Sequence, residues 1–245
     1  MTESKYTCTS AVGLLKKKLS EGMNPNMIIA GPQPLLSLAI EMRSTPEIIE
    51  TLLEAGANPN TKGFNDLPPL THVLINYDNQ SKDTEKLVEV LLNHGADPNL
   101  AIKNPNPTFD GYTPLFVAIT TSNPNANIVK LLLEKGANPN AAFRGTNILM
   151  NIVANQTNQE ILDLMIKYGV DVNARDNNGL TPLMYATYNK EKPEMMINVL
   201  LKNGANPQLT DNKGHNASDY ISNCLNLSSE QKVLLALKCA KNSMI

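Results

Sequence analysis

Side chains that could build a metal site or a nucleophilic centre are few in this chain. They are three histidines and three cysteines, namely His72, His94, His215, Cys8, Cys224 and Cys239. A zinc site requires several such side chains to converge, and the sequence contains neither a CxxC pair nor an HExxH motif. The histidines lie far apart in the chain, so we interpret them as structural residues. The sequence therefore predicts no metal site, no catalytic residue and no enzymatic activity.

Loops that bind nucleotide phosphates are also missing from the sequence. Neither GxxxxGK[ST] nor GxGxxG occurs in it, and these are the patterns whose backbone N–H groups hold phosphates. We therefore expect no cofactor. The 21 Lys and Arg residues nearly balance the 23 Asp and Glu residues, for a net charge of −2. This balance argues against a nucleic-acid partner, because such a partner normally requires a basic surface.

Cysteine usage and hydropathy bear on the compartment of the protein. An odd number of cysteines without paired spacing favours a reducing, cytoplasmic-type compartment over a disulfide framework. The first residues, MTESKYTCTSAVGLLKKKL, lack the apolar segment of a secretory signal. No stretch approaches the roughly 18 apolar residues that span a bilayer, so no membrane insertion is expected. We further expect the protein to act as a monomer.

A short closing phrase recurs along the chain and indicates how the chain is organised. Its clearest form is GANPN, at 136–140. The six copies begin at Gly22, Gly56, Gly95, Gly136, Gly169 and Gly204. They follow one another at intervals of 33 to 41 residues. A period near 33 residues with two helical halves is typical of a protein built from stacked repeats.

An opening motif precedes the apolar helical segments. It reads GYTPLFVA at 111–118 and GLTPLMYA at 179–186, with degraded copies at 31–39 and 67–70. Together with the closing phrase, these motifs resemble the ankyrin-repeat family over roughly residues 10 to 240. The resemblance implies an all-α fold, an ankyrin-repeat α-solenoid in which short β-hairpin fingers join the helix pairs.

The resemblance also implies the division of a single domain, 1–245, into about five full repeats between two capping units. The predicted boundaries are 10–26 for the N-terminal cap, 27–60, 61–99, 100–140, 141–173 and 174–208 for the repeats, and 209–245 for the C-terminal repeat or cap. Terminal units of such an array require a polar outer face.

Two repeats depart from the pattern. The join that leads into repeat three contains an inserted, Asn- and Pro-rich segment at 100–109, which predicts an enlarged finger. Long loops in compact scaffolds are usually either functional or disordered, and both alternatives stay open here. Repeat four has TNI at 146–148 where TPL is expected. Because proline presets φ, its loss predicts a less rigid start for the following helix.

A binding surface is implied by the resemblance as well, formed by the finger tips and the exposed end of each first helix. The residues at the matching positions are Phe64, Asn65, Phe109, Tyr112, Thr120, Thr121, Phe143, Asn177, Asn178, Leu180, Tyr188 and Asn189. Five of the eleven aromatic residues are among them, and exposed aromatic residues are typical interface anchors. For Phe64 and Phe143, the alternative is that the ring packs between adjacent fingers.

The asparagines of the closing phrases have two interpretations. Asparagine tolerates turn conformations and bonds nearby backbone groups where a helix stops, so we expect a structural role. The resemblance also implies that hairpin asparagines can be hydroxylated by an asparaginyl hydroxylase. The residues in the matching place are Asn60, Asn99, Asn140 and Asn173.

Three functions follow from these patterns, in order of preference. The first is a non-catalytic protein–protein interaction module that binds a partner protein through the concave face of fingers and first helices. The second is a host-targeted effector of an intracellular bacterium or virus, translocated into the host cell and using the same surface. An Asn-rich composition with Lys in preference to Arg suggests this second function. The third is a regulatory fragment of an enzyme.

Overall fold

The computed structural model describes residues 11–30, 33–63, 66–103, 111–155 and 158–241. The chain forms two compact units, unit 1 over residues 1–137 and unit 2 over residues 138–245. Helices dominate both units, and the described strands form two short hairpins. The expected all-α repeat fold with hairpin fingers is therefore confirmed, whereas a single continuous domain stays a prediction.

The described residues of unit 1 form a capping helix and three helix pairs. Its elements are α1 (Ala11–Ser20), the hairpin β1 (Ile28–Ala30) and β2 (Gln33–Pro34), α2 (Leu35–Glu41), α3 (Pro46–Glu54), α4 (Pro69–Asn76), α5 (Lys82–Asn93), α6 (Pro114–Thr120) and α7 (Ala126–Glu134). The first helices α2, α4 and α6 stack in one layer, and the second helices α3, α5 and α7 stack in another. Helix α1 packs on α3 and has no buried residue, as expected for a terminal unit with one face in solvent.

The opening and closing motifs start and stop the helices by local chemistry. Thr113 caps α6, because its side chain accepts the Phe116 N–H while Pro114 occupies the first helical turn. Helix α7 ends at Glu134, and Gly136 two residues later has a φ of 87° in the left-handed region. The Gly136 and Ala137 N–H groups donate to the carbonyls of Leu133 and Leu132. Glycine adopts this conformation without a steric cost, so the closing phrase terminates the helix.

Asparagines of the closing phrases hold successive repeats together. The Asn60 amide nitrogen donates to the Gly95 carbonyl at 2.9 Å, and the Asn60 Oδ1 accepts the Asp97 N–H at 2.8 Å. In unit 2, Asn173 makes the same pair of bonds to Gly204 and Asn206. The expected structural role is therefore confirmed, since each side chain satisfies backbone groups that the helix end leaves free.

Unit 2 contains two helix pairs and a closing pair. Its elements are β3 (Ala142–Phe143), β4 (Thr146–Asn147), α8 (Ile148–Asn155), α9 (Gln159–Lys167), α10 (Pro182–Tyr185) continued by a 3₁₀ turn (Ala186–Tyr188), α11 (Pro193–Lys202), α12 (Ala217–Asn223) and α13 (Ser229–Lys241). The first helices α8, α10 and α12 stack in order, and α11 packs on α13. Repeat four starts its helix without proline, because the Asn147 Oδ1 accepts the Met150 N–H at 2.9 Å. The helix start that we expected to be less rigid thus has a side-chain cap of its own.

Candidate functional site

Three tyrosines form a row across successive repeats of unit 2, and we call them the tyrosine row: Tyr185, Tyr188 and Tyr220. The Tyr188 ring centroid lies 5.9 Å from that of Tyr185 and 6.3 Å from that of Tyr220, with edge-to-face planes in both cases. The His215 ring continues the row, 6.5 Å from the Tyr220 ring. Tyr188 is the most exposed member at 52%. Edge-to-face contacts stabilise aromatic neighbours, so the Tyr188 ring is both supported and accessible.

Two aspartates position the outer rings of the row. Asp176 and Asp211 each close a finger turn, because their carboxylates accept the N–H groups of Leu180 and His215 respectively. The same carboxylates accept hydrogen bonds from the tyrosine nine residues later. The Tyr185 hydroxyl donates to Asp176 Oδ2 at 3.0 Å, and the Tyr220 hydroxyl donates to Asp211 Oδ2 at 2.7 Å. Each bond ties a finger to the first helix that follows it.

Electrostatics favour an ionised Asp211 and neutral tyrosine hydroxyls. The hydrogen bond from the Tyr220 hydroxyl holds the pKa of Asp211 well below its usual range, with help from the His215 and Lys213 N–H groups. Burial, and then the Asp211 carboxylate, raises the pKa of Tyr220. Burial also raises the pKa of Tyr188, with smaller contributions from the Asp176 and Asp211 charges. The row therefore presents neutral rings at physiological pH.

A surface cavity of about 550 Å³ opens beside the row, and we call it the Tyr188 cavity. Its walls come from the end of the α10 segment (α10 with its 3₁₀ turn), the 211–215 finger, α12 and the turn after α12. The lining residues are Thr187, Tyr188, Lys190, Lys213, His215, Asp219, Tyr220, Asn223, Cys224, Leu225 and Asn226. Its size lies within the range of about 300–1,000 Å³ that is usual for ligand pockets.

The other predicted contact residues of unit 2 lie in different environments. Asn177 and Asn178 are exposed at a finger tip, where their carbonyls accept hydrogen bonds from Asn212 of the next finger. Leu180 is half-buried at the base of the same finger. Phe143 is also half-buried, and the Arg144 guanidinium lies 5.0 Å from the centre of its ring.

Asn189 requires a correction. The sequence predicted that Asn189 lies at an exposed helix end, but the residue is only 1% exposed. Its amide nitrogen donates to the Val153 carbonyl at 3.0 Å, and its Oδ1 accepts the N–H groups of Glu191 and Lys192. Buried side-chain amides bond backbone groups, so Asn189 fixes the chain beside Tyr188 and offers no surface to a partner.

In unit 1 the predicted positions are more enclosed. The Tyr112 ring lies 4.6 Å from the ring of the buried Phe116. The Thr120 hydroxyl donates to the Phe116 carbonyl, and the Thr121 hydroxyl donates to the Ala118 carbonyl. These hydroxyls thus bond their own helix. The remaining predicted contacts lie outside the described residues, namely Phe64, Asn65, Phe109 and most of the 100–109 finger.

Sequence reasoning missed several residues of the site: Tyr185, Tyr220, His215, Lys190 and Lys213. A signal for two of them was present. The segments DNNGLTPLMY at 176–185 and DNKGHNASDY at 211–220 share an aspartate and a tyrosine at the same spacing. That spacing is the one that joins finger to helix by a hydrogen bond in both repeats.

Within the described ranges, no three His, Cys, Asp or Glu side chains come together in a group that could hold a metal ion. In the same part of the chain, no helix has both the length and the apolar character to cross a bilayer.

Comparisons with known proteins point to one family. The model of a family described as ankyrin repeats (3 copies) matches residues 36–143 and 140–211. The ADP-ribosylation factor GTPase-activating protein AGD4 of Arabidopsis thaliana is 26% identical over 92 residues, which make up 38% of this chain and 12% of that protein. The ankyrin repeat domain of Bcl-3, a member of the IkappaB protein family, matches with a TM-score of 0.67 and 21% identity. That match covers 92% of this chain and 91% of the other, and it shows a shared fold.

Proposed function

Because the chain belongs to the ankyrin-repeat family, we propose that it is a non-catalytic module that binds a partner protein through its fingers and first helices. Ankyrin repeats generally mediate protein–protein interaction. The GTPase-activating activity in the name of the plant relative is a property of that protein, of which 12% corresponds to this chain.

One observation carries the proposal for unit 2, the exposed Tyr188 ring within the tyrosine row. Interface hot spots are enriched in tyrosine and lie where a rigid ring can enter a partner surface. Tyrosine loses little conformational entropy on binding because it has few rotatable bonds. Tyr185 and Tyr220 restrict the Tyr188 ring further, since both pack against it. Asn177 and Asn178 add exposed polar groups at the neighbouring finger tip.

For unit 1 the proposal rests on the predicted positions alone. Tyr112, Thr120 and Thr121 are half-buried, so each retains some surface for a partner. Phe64, Asn65 and Phe109 stay in the proposal on the strength of the family pattern. The effector hypothesis concerns the same surface, and fusion to a translocation reporter tests it.

Affinity capture from a lysate, followed by mass spectrometry, tests the proposed surface. The full chain should capture a specific partner, and Tyr188→Ser should weaken that capture by at least about tenfold, as expected for an interface anchor. Tyr168→Ser is the matched control, because Tyr168 is a half-buried tyrosine outside the row that caps the end of α9. Circular dichroism should show similar melting temperatures for the wild type and Tyr188→Ser. Undiminished capture by Tyr188→Ser would contradict the assignment.

A further inference from the structure

The Tyr188 cavity combines an apolar wall with an open side. Tyr188 and Tyr220 provide aromatic surface, and Leu225 on the rim is 95% exposed. Most of the other lining residues are also exposed, so the cavity faces solvent along one side. Such a shape suits a segment of chain laid across the surface, with one side chain inserted beside the rings, better than an enclosed small molecule.

Two lysine side chains give this cavity positive charge. Lys190 and Lys213 line it, and neither makes an ion pair within the described part of the chain. The carboxylates nearby already accept hydrogen bonds from groups of the fold. Asp219 Oδ2 accepts the Asn216 N–H at 2.8 Å in a helix cap, and Asp211 accepts the Tyr220 hydroxyl and two backbone N–H groups.

From this arrangement we propose that the Tyr188 cavity binds an extended acidic segment of a partner protein. An apolar side chain of that segment enters beside Tyr188 and Tyr220, and its Asp or Glu carboxylates pair with Lys190 and Lys213. The inference rests on the proposed function and names the chemistry of the partner. A basic segment would bring its charges against these two ammonium groups, which would repel them.

Selection from a library of random 12-residue peptides displayed on phage tests this inference with the full chain as bait. The selected peptides should be rich in Asp and Glu and should share an aliphatic or aromatic residue. Synthetic copies should bind at least about tenfold more weakly to the double variant Lys190→Glu/Lys213→Glu, because like charges across an interface repel. Raising the salt concentration from about 50 mM to about 500 mM should weaken binding to the wild type, because salt screens exposed charges.

The matched control is Lys16→Glu/Lys202→Glu. Both lysines are exposed and lie outside the cavity, and each double variant changes the net charge from −2 to −6. The control should retain wild-type affinity.

Three results would overturn the inference, and they separate it from the proposed function. Peptides without acidic enrichment would overturn it directly. If Tyr188→Ser abolished peptide binding but the cavity charge reversal did not, the acidic chemistry would be wrong and the tyrosine surface would stand. If neither variant weakened binding, the peptides would bind elsewhere, and the proposed surface would be contradicted as well.

Discussion

Helix α6 of unit 1 and the α10 segment of unit 2 begin with the same motif and end differently. Thr120 and Tyr188 are equivalent positions, each nine residues after the motif glycine. In unit 1 the helix continues to Thr120, whose hydroxyl bonds the helix itself. In unit 2 the α-helix stops at Tyr185 and a 3₁₀ turn carries Tyr188 into solvent. The stacking unit is thus shared, and the end of the first helix is where its surface chemistry varies.

Asn189, the residue after Tyr188, explains how unit 2 holds the end of its first helix in place. Thr121 in unit 1 bonds the Ala118 carbonyl of its own helix. The equivalent Asn189 is buried and bonds the Val153 carbonyl of the preceding repeat as well as two N–H groups before α11. One amide therefore anchors the 3₁₀ turn on both sides, which orients the Tyr188 ring beside it.

The largest expected effect concerns what the two units have in common, a close-packed core. Leu132 in α7 and Leu200 in α11 are fully buried. Leu132→Ala and Leu200→Ala should each lower the free energy of unfolding by about 2–5 kcal/mol, because each leaves a cavity. Urea unfolding measures the loss. Leu225→Ala, at an exposed position, should change the stability by less than about 0.5 kcal/mol. A loss below about 1 kcal/mol at either core leucine would show that its repeat is not close-packed there.

A smaller effect should separate the two helix ends. Asn189→Ala leaves one carbonyl and two N–H groups without their partner, so it should lower the free energy of unfolding by about 1–3 kcal/mol. Thr121→Ala removes a half-buried hydroxyl that bonds its own helix, so it should cost less than about 0.5 kcal/mol. The same urea experiment compares them. Equal losses would mean that the two ends are held alike and that Asn189 has no special structural role.

The smallest expected effect is on the pH dependence of stability, through Glu85 in unit 1. The Asn125 side chain, followed by Lys82 and Asn127, donates to Glu85 and lowers the pKa of Glu85 from its ordinary 4.5 to about 2. A carboxyl whose pKa falls on folding stabilises the fold above its unfolded pKa, and the contribution disappears as the pH falls from about 4.5 towards about 2. The free energy of unfolding of the wild type, measured with urea, should therefore fall as the pH is lowered through that window. Glu85→Gln should show a shallower dependence there, and an unchanged slope would contradict the assignment.

The sequence was most informative where a local rule operates. The closing glycine ends its own helix and the asparagines bond backbone groups at helix ends, so both roles could be predicted from type and spacing. The structure alone shows that Thr113 caps α6 and that the asparagine bonds reach the next repeat. Asn147 shows the limit of this reasoning. Loss of the proline was visible, but the capping role of Asn147, which stands at the proline position, depends on a backbone geometry that a motif comparison does not contain.

The candidate site was harder to predict because it also depends on geometry that a motif comparison does not contain. Tyr188 was found because the family pattern marks its position, whereas Tyr220 and Lys213 were missed because they belong to a degraded final repeat. Their place in the site depends on the Asp211 turn, which brings finger, helix and cavity wall together.

By itself, the sequence determined the repeat, its helix starts and stops, and a structural role for the asparagines at the helix ends. These are short-range effects of capping, left-handed glycines and backbone hydrogen bonding. Tertiary structure alone decided which of two adjacent residues is exposed to solvent. Both Tyr188 and Asn189 are predicted contact residues in the sequence, yet Tyr188 is exposed and Asn189 is buried. The reason is that a buried carbonyl of the preceding repeat requires a donor, and the short amide reaches it while the tyrosine ring packs outward between two other rings.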